Sequence, residues 1–554
     1  MNEPQPSARV WHLTVAGGEA RAHETSEAFS PIDQRPLEPI AVATESEVRA
    51  AVARARLAQE EWRSLPLAER AAALKRAAKE MLRRRDEAIA LAHRELGKVE
   101  IEGLFNEALG PLETVTGWIK VVERATATRS VRLNPLSFPR KTAQVDFVPR
   151  GVVGVIAAWN FPVAGLYRST FPALLTGNAV VVKPSEYTPR TSAWFVERLA
   201  EELPDGLVQV IQGPGQVGAT LIDAGVDACV FTGSPASGKK VRVRCAERGI
   251  PASVEMGGKD AAIVLGDCDL ARTVAGITHW ALSNVGQSCG AIEIAYVDEK
   301  IADALVARLG AVWPKLRVGS DRFADLGPLG NLRQFDIVAA QVADAREKGA
   351  KVVCGGDPTV GPDSERGSAA VGQSRAVGPT REGLWFAPTL LDHCTDEMSV
   401  VREETFGPVL AVVRVSGADE AIRRVNAGKY GLGASIWTAD LDRGRRLASR
   451  LEVGVVTINN HSFSGAIPAL PWSGTRETGT GIANGPEALA TFVRPRTLVV
   501  DAAGGPEAYW LPYDHVLWEL GSLLADAQLG RLSQVWKLPL LFRERSKMLK
   551  RFFG

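Results

Sequence analysis

The chain has almost no charge imbalance, few cysteines and no long apolar run, and each scarcity narrows what it can be. Its 554 residues carry 65 Lys and Arg against 64 Asp and Glu, a formal net charge of +1. A nucleic-acid protein normally shows a basic excess or stripe, so no nucleic-acid partner is expected. The six cysteines (229, 245, 268, 289, 354 and 394) are scattered without CxxC spacing. Neither a zinc site nor a disulfide framework is expected from that pattern, no metal is assigned, and the usage suits a reducing compartment. No apolar run approaches the ~20 residues that cross a bilayer. The start, Met1 to Pro6, lacks the basic-then-apolar pattern of a secretion signal, so a cytoplasmic location is expected. The length exceeds one ordinary core, and two or three domains follow.

What is present is an alternation of strands and helices. After strand candidates at 10–15 and 39–42, Thr44 to Glu47 forms a capping-box pattern that opens a helix, and long helices run to about residue 125. Residues 128–149 alternate polar and apolar, as an exposed hairpin or arm would. Gly151 to Ala158 is a continuous apolar run, expected of a strand buried on both faces of a parallel sheet. Further apolar strands at 179–182, 208–211 and 228–231 alternate with helical stretches, which predicts a doubly wound α/β domain with its chemistry at the strand ends. A literal GxGxxG, Gly213 to Gly218, follows one strand, but no acid ends the next strand, so it reads as a turn before a helix. The better anion site is Thr232 to Gly238, which leaves a strand and opens a helix. Residues 356–383, rich in Gly, Pro, Ser and charge, read as a surface loop.

The chemistry centres on Asn284 to Cys289, which sets a thiol after a small-residue turn. A cysteine taken at random is an inert small hydrophobe. Cys289 stands out through its company, because Val254 to Lys259 sets the Glu255 carboxylate beside the pair Gly257 and Gly258, where backbone can approach backbone. A thiol nucleophile and a carboxylate base form a working pair.

Six separated motifs then occur in one order: Trp159-Asn160-Phe161-Pro162, Lys183-Pro184-Ser185-Glu186, Phe231-Thr232-Gly233-Ser234, Glu255-Met256-Gly257-Gly258-Lys259, Gly286-Gln287-Ser288-Cys289 and Glu404-Thr405-Phe406-Gly407-Pro408. By this ordered set the chain resembles the NAD(P)-dependent aldehyde dehydrogenase superfamily from about residue 28 to 500. The resemblance implies an α/β, aldehyde-dehydrogenase-like fold: a Rossmann-like NAD-binding domain (20–127 and 150–257), a catalytic α/β domain (258–470) and a β oligomerisation arm (128–149 and 471–500). It implies a small-molecule aldehyde as substrate and assembly as a homodimer or homotetramer. Cys289 would be the nucleophile, Asn160 with the Cys289 amide the oxyanion hole, and Glu255 the base that activates water. For the cofactor, Lys183 and Glu186 would bind the adenosine ribose, Gly233 and Ser234 the pyrophosphate, and Glu404 the nicotinamide ribose, with Phe406 and Trp159 nearby. A carboxylate at Glu186 repels a 2′-phosphate, which favours NAD over NADP.

The chain departs from the family pattern at several positions. Ser169 and Ala483 stand where many members carry a Lys/Glu pair, so a proton route through that pair is not expected here. Ile294, preceded by Glu293, stands where an arginine is frequent, and Trp472 where phenylalanine is. Arg168, eight positions after Asn160, matches an arginine with which semialdehyde-oxidising relatives hold a substrate carboxylate; the plainer reading, a structural arginine in a helix, is preferred. A CoA-acylating enzyme and a non-catalytic binding protein are the competing readings, and the retained Glu255, Cys289 and Asn160 weigh against both. The extension 501–554 lies outside the resemblance: Glu507 to Leu524 reads as an aromatic-rich helix, and Lys537 to Phe553 mixes Leu and Phe with Arg543, Arg545, Lys547, Lys550 and Arg551. It would either touch a membrane surface or pack on the body or a neighbouring subunit, and packing is favoured.

Overall fold

The computed structural model describes residues 24–135, 137–359, 383–502 and 504–554. The strand candidate at 10–15 and most of the loop at 356–383 lie outside these residues. The chain divides into a larger unit, up to Ala127 and from Phe147 to Arg494, and a smaller one, Thr128–Asp146 with Pro495–Gly554.

The larger unit contains two mainly parallel sheets. The first has five strands in the spatial order Val208–Val210, Ala179–Lys183, Val152–Ile156, Ala228–Thr232, Ala252–Glu255, every pair parallel. Val152–Ile156 and Ala179–Lys183 are buried along their whole length because helices cover both faces; this is why they read as unbroken apolar runs rather than as alternation. The Glu45–Trp62 helix supplies one cover, opened by the capping box in which Thr44 Oγ1 accepts from Glu47 N while Glu47 accepts from Thr44 N. The second sheet has seven strands, in the order Lys351–Cys354, Thr389–Asp392, Val409–Val415, Ile292–Asp298, Asp260–Val264, Gly433–Trp437, Val455–Ile458. Only its outermost Lys351–Cys354 strand pairs antiparallel. Each sheet sits in its own apolar core.

Gly213 to Gly218 is a turn that opens the Gly215–Asp223 helix, as the missing acid implied. Residues 471–494, grouped with the arm on sequence grounds, run through the larger unit: Trp472–Ser473 pairs with Ile482–Ala483, and Gly481 N donates to the Val254 carbonyl at 2.9 Å. Gly481 permits this approach, since a Cβ there would stand 2.7 Å from the Val254 carbonyl carbon.

The smaller unit contains most of a three-stranded sheet ordered Val493–Asp501, Lys141–Pro149, Arg129–Val131, and two helices, His515–Gln528 and Leu538–Phe553. The first helix starts later than its apolar spacing suggested. Pro512 lacks an N–H and biases Leu511 away from helical angles, so Glu507 to Tyr513 stays irregular until the Asp514 carboxylate caps the helix by accepting from Leu517 N at 2.8 Å.

Candidate active site

Because the first sheet is parallel, its strands deliver their C-terminal ends to one edge, and the central strand Val152–Ile156 lies between Ala179–Lys183 and Ala228–Thr232, the switch point where such sheets bind ligands. Lys183 ends its strand there with its amine buried, and its one hydrogen bond among the described residues goes to Glu186 at 3.4 Å. Burial pushes the Lys183 ammonium below the usual range, with Glu186 opposing. On the other side of the Val152–Ile156 strand, after Ala228–Thr232, Ser234 caps the Pro235–Glu247 helix, accepting from Ser237 N at 3.4 Å, and Gly233 N donates to the Glu255 carbonyl at 3.1 Å. A desolvated amine and an exposed capped helix N-terminus at one sheet edge fit the hydroxyls and phosphates of a dinucleotide. Trp159 meets Phe406 edge-on at 5.5 Å between ring centres.

The loop that leads to Cys289 is held in strained backbone. Asn284 (φ 53°) and Val285 (φ 58°) both lie in the left-handed region, costly for a β-branched residue. The strain is fixed by Glu102, whose carboxylate accepts from Asn284 N at 2.6 Å and Ser283 Oγ at 3.0 Å. Asn284 Nδ2 donates to the carbonyls of Asn160 and Gln287, at 3.1 and 2.9 Å. Asn160 is buried, and its Nδ2 donates to the Gln287 carbonyl at 3.0 Å, two residues before Cys289. The glycine pair proves to be spatial: a Cβ on Gly257 would stand 2.0 Å from Glu404 Oε1, and one on Gly258 would stand 2.9 Å from the Cys289 carbonyl oxygen. Glu404 Oε1 accepts from Gly258 N at 3.1 Å, and burial beside Glu293 raises its carboxyl above the usual range.

Electrostatics at the thiol come from a small set of groups. Burial pushes the Cys289 thiol up to about 12; Arg168 opposes the rise, and Glu255 adds to it. Burial also raises Glu255, again opposed by Arg168. Arg168 lies in the Ala164–Leu175 helix with its guanidinium carbon 5.7 Å from the centre of a Trp472 ring. A Cβ on Gly290 would touch that same tryptophan at 2.9 Å. Nε and Nη2 of Arg168 are buried without a hydrogen-bond partner. Ser169, at the position of the missing lysine, turns its hydroxyl back to the Gly165 carbonyl at 3.4 Å.

Several supporting residues escaped the sequence reading. Lys98 and Glu107, both fully buried, pair at 2.5 Å; Lys98 also donates to the Asn160 carbonyl at 3.1 Å, while Glu107 accepts from Val163 N and Ala164 N at 2.9 and 3.0 Å. Glu293, noted only as a departure, accepts from the amides of Thr405 and Phe406, each at 2.8 Å, and pairs with Lys259 at 2.6 Å. It thereby holds Phe406 at φ 53°. His461 lies buried 3.5 Å from the equally buried Asp260 carboxylate. The first two sets are spread over distant segments, and no spacing rule links them. Asp260 carried a signal, a charge directly after a glycine-rich turn and ahead of an apolar strand.

A parallel sheet presenting a desolvated lysine and a capped helix N-terminus at the C-terminal ends of its strands has the form of a dinucleotide-linked oxidoreductase. The model of the aldehyde dehydrogenase family matches residues 19–498, and the chain belongs to that family. It is 36% identical over 492 residues to the 4,4'-diapolycopene aldehyde oxidase of a Methylomonas species, covering 88% of each chain. It is 34% identical over 509 residues, 91% of this chain and 93% of the other, to a Mycolicibacterium smegmatis protein named "Putative succinate-semialdehyde dehydrogenase", an NADP(+) form. The fold matches the NAD+ complex of an aldehyde dehydrogenase from Bacillus cereus with a TM-score of 0.79 at 27% identity, covering 87% of this chain and 94% of that one. The protein is an NAD(P)-dependent aldehyde dehydrogenase, oxidising aldehyde to carboxylic acid.

Proposed function

We propose that Cys289 is the nucleophile of this oxidation, Asn160 the oxyanion donor and Glu255 the base that admits water. The observation that carries the proposal is the bond from Asn160 Nδ2 to the Gln287 carbonyl, which ties an amide donor to the loop of the thiol. An amide has two N–H groups and this bond uses one; the other is a donor for a developing oxyanion, worth ~3 kcal/mol.

Cys289 attacks as the thiolate, forming the C–S bond while the carbonyl electron pair moves to oxygen. Arg168 offsets part of the cost of that buried anion. The dinucleotide, when bound, supplies the acceptor for the hydride that leaves the former carbonyl carbon. Lys183, Glu186, Gly233, Ser234 and Glu404 would hold it, with Trp159 and Phe406 against it. The acyl group stays on Cys289 as a thioester. Glu255 then takes a proton from water, the oxygen attacks the thioester carbon, and the thiolate leaves with release of the acid. The retained Glu255 supports water over CoA as the acyl acceptor.

The same proposal divides the chain into a cofactor domain (20–127 and 150–257), a catalytic domain (258–470) and an arm (128–149 and 471–500), with subunits pairing as a dimer or tetramer through an edge strand of the arm. A second reading concerns the substrate. Two buried guanidinium nitrogens without partners at Arg168 support an aldehyde that carries its own carboxylate. Turnover of succinic semialdehyde against butanal, in wild type and Arg168→Ala, tests this; unchanged discrimination in the variant ends it.

For the main proposal, NAD or NADP is mixed with a panel of aldehydes. Cys289→Ala abolishes oxidation while the dinucleotide still binds. Glu255→Gln gives one burst of reduced cofactor and then stalls as the thioester; full steady-state turnover in that variant overturns the base assignment.

A further inference from the structure

The two helices of the smaller unit are built with charge inside and aromatics outside. Their buried apolar cluster is Val516, Leu520, Leu523 and Leu541. Next to it Arg545 is fully buried, donating to Asp514 Oδ2 at 2.9 Å and to the carbonyls of Ala508, Trp510 and Pro512 at 2.8, 2.5 and 2.5 Å. That clamp holds the 508–514 segment, in which Tyr509, Trp510, Leu511 and Tyr513 are exposed while Asp514 turns in to Arg545 and Ala508 packs on the cluster. Further along, Trp518 is 80% exposed, Leu529 70%, Leu532 66% and Trp536 67%. Scattered exposed apolar residues are ordinary, but so many large ones around so small a core mark a contact surface for a less aqueous phase.

Charge identifies that phase. On the Leu538–Phe553 helix, Leu541, Arg545 and Leu549 face inward. The outward positions Leu540, Arg543, Lys547 and Arg551 recur at i, i+3, i+7 and i+11, which is one helical face. Arg543, Lys547, Lys550 and Arg551 are in no ion pair among the described residues. Tryptophan and tyrosine with interleaved lysine and arginine suit the headgroup boundary of an anionic bilayer. No helix of the described residues is long and apolar enough to cross a membrane, so the contact would lie along the surface. A second copy docked on this face about a two-fold axis would bring these cations towards their own counterparts, which repulsion opposes.

We propose that the helical pair His515–Phe553 docks on an anionic lipid surface, with Trp518, Leu532, Trp536 and Leu540 in the headgroup boundary and Arg543, Lys547, Lys550 and Arg551 against lipid phosphates. The inference stands on exposure and charge alone and is independent of the residue roles at Cys289.

The test uses the full chain with vesicles of phosphatidylcholine alone or mixed with phosphatidylglycerol. Co-sedimentation is expected only with the mixed vesicles, with a blue shift of tryptophan fluorescence and release by high salt. Reversing the four cations (Arg543→Glu, Lys547→Glu, Lys550→Glu, Arg551→Glu) should lower the partition coefficient by at least ~100-fold. Turnover of a small water-soluble aldehyde serves as the folding control. If that variant misfolds, quenching of the wild-type tryptophans by brominated phosphatidylglycerol decides the matter in its place. Absence of sedimentation, equal binding to neutral vesicles, or an oligomer that the cation reversal dissociates without vesicle binding in the wild type would each overturn the proposal, the last by showing that a second copy covers the face.

Discussion

Gly286 lies against Gly407 so closely that a Cβ on Gly286 would stand 2.1 Å from the Gly407 carbonyl oxygen. The contact joins the loop of the thiol to the segment carrying Glu404 and Phe406. Gly286 also sits at φ +68°. Gly286→Ala therefore meets two penalties, a left-handed backbone costing ~1–2 kcal/mol and a backbone clash that no rotamer relieves. The expected outcome is a fall in melting temperature together with at least a tenfold loss in kcat/KM. Separate assays should show dinucleotide affinity and thiol reactivity both altered, because one displacement moves both sides.

Arg168 should govern how readily the thiol ionises. Burial raises the Cys289 thiol and Arg168 is the largest opposing group. Removing its charge disfavours the anion, so the thiol rises further. Below that value the thiolate fraction falls tenfold for each pH unit, and alkylation slows accordingly. Arg168→Met should thus react with iodoacetamide more slowly than wild type at every pH from 7 to 10, with its rate profile displaced to higher pH. An unshifted profile would show that the cation does not act on the sulfur.

Much of this was legible in the chain because the informative residues are local. Parallel strands buried on both faces wrote themselves as apolar runs, as at 152–156 and 179–183, and the capping box at Thr44 and Glu47 marked a helix start. The thiol, the carboxylate and Asn160 sit in short motifs. What stayed hidden is non-local. Glu293 supports Thr405 and Phe406 from more than a hundred positions away, and Glu102 braces Asn284 from as far; neither distance leaves a trace in spacing. The helix expected from Glu507 was displaced because its apolar periodicity was read across Pro512, and the backbone constraint of proline outweighs periodicity.

Cofactor choice should turn on Glu186. Its carboxylate lies 3.4 Å from the Lys183 amine and is partly exposed; in the proposed ribose-binding role it would oppose an added 2′-phosphate by like charge. Two unit charges ~4 Å apart repel by ~1 kcal/mol in bulk water and ~4 kcal/mol near a protein surface, so ~1.4 kcal/mol, a factor of about ten, lies at the low end of that range. Glu186→Gln should accordingly raise the NADP to NAD ratio of kcat/KM by about tenfold, chiefly through KM for NADP. If the wild type already prefers NADP and the variant does not change the ratio, the carboxylate is not the discriminator.

Lys98 and Glu107 give the sharpest stability prediction. Both side chains are fully buried, and Glu107 carries two backbone amides of the Val163–Ala164 turn while Lys98 carries the Asn160 carbonyl. Lys98→Met removes the cation and leaves a carboxylate stranded in the core, which typically costs 3–5 kcal/mol. Lys98→Met with Glu107→Gln removes both charges, and the neutral amide oxygen can still accept from Val163 N, so the double variant should recover part of the loss. Denaturant midpoints check this, with the double variant expected to be more stable than the single one. Activity should not follow stability. Without the ammonium the Asn160 carbonyl keeps only its bond from Asn284, so the double variant should remain slow in kcat at normal dinucleotide affinity. Equal recovery of stability and kcat would show that the pair braces the core without positioning Asn160.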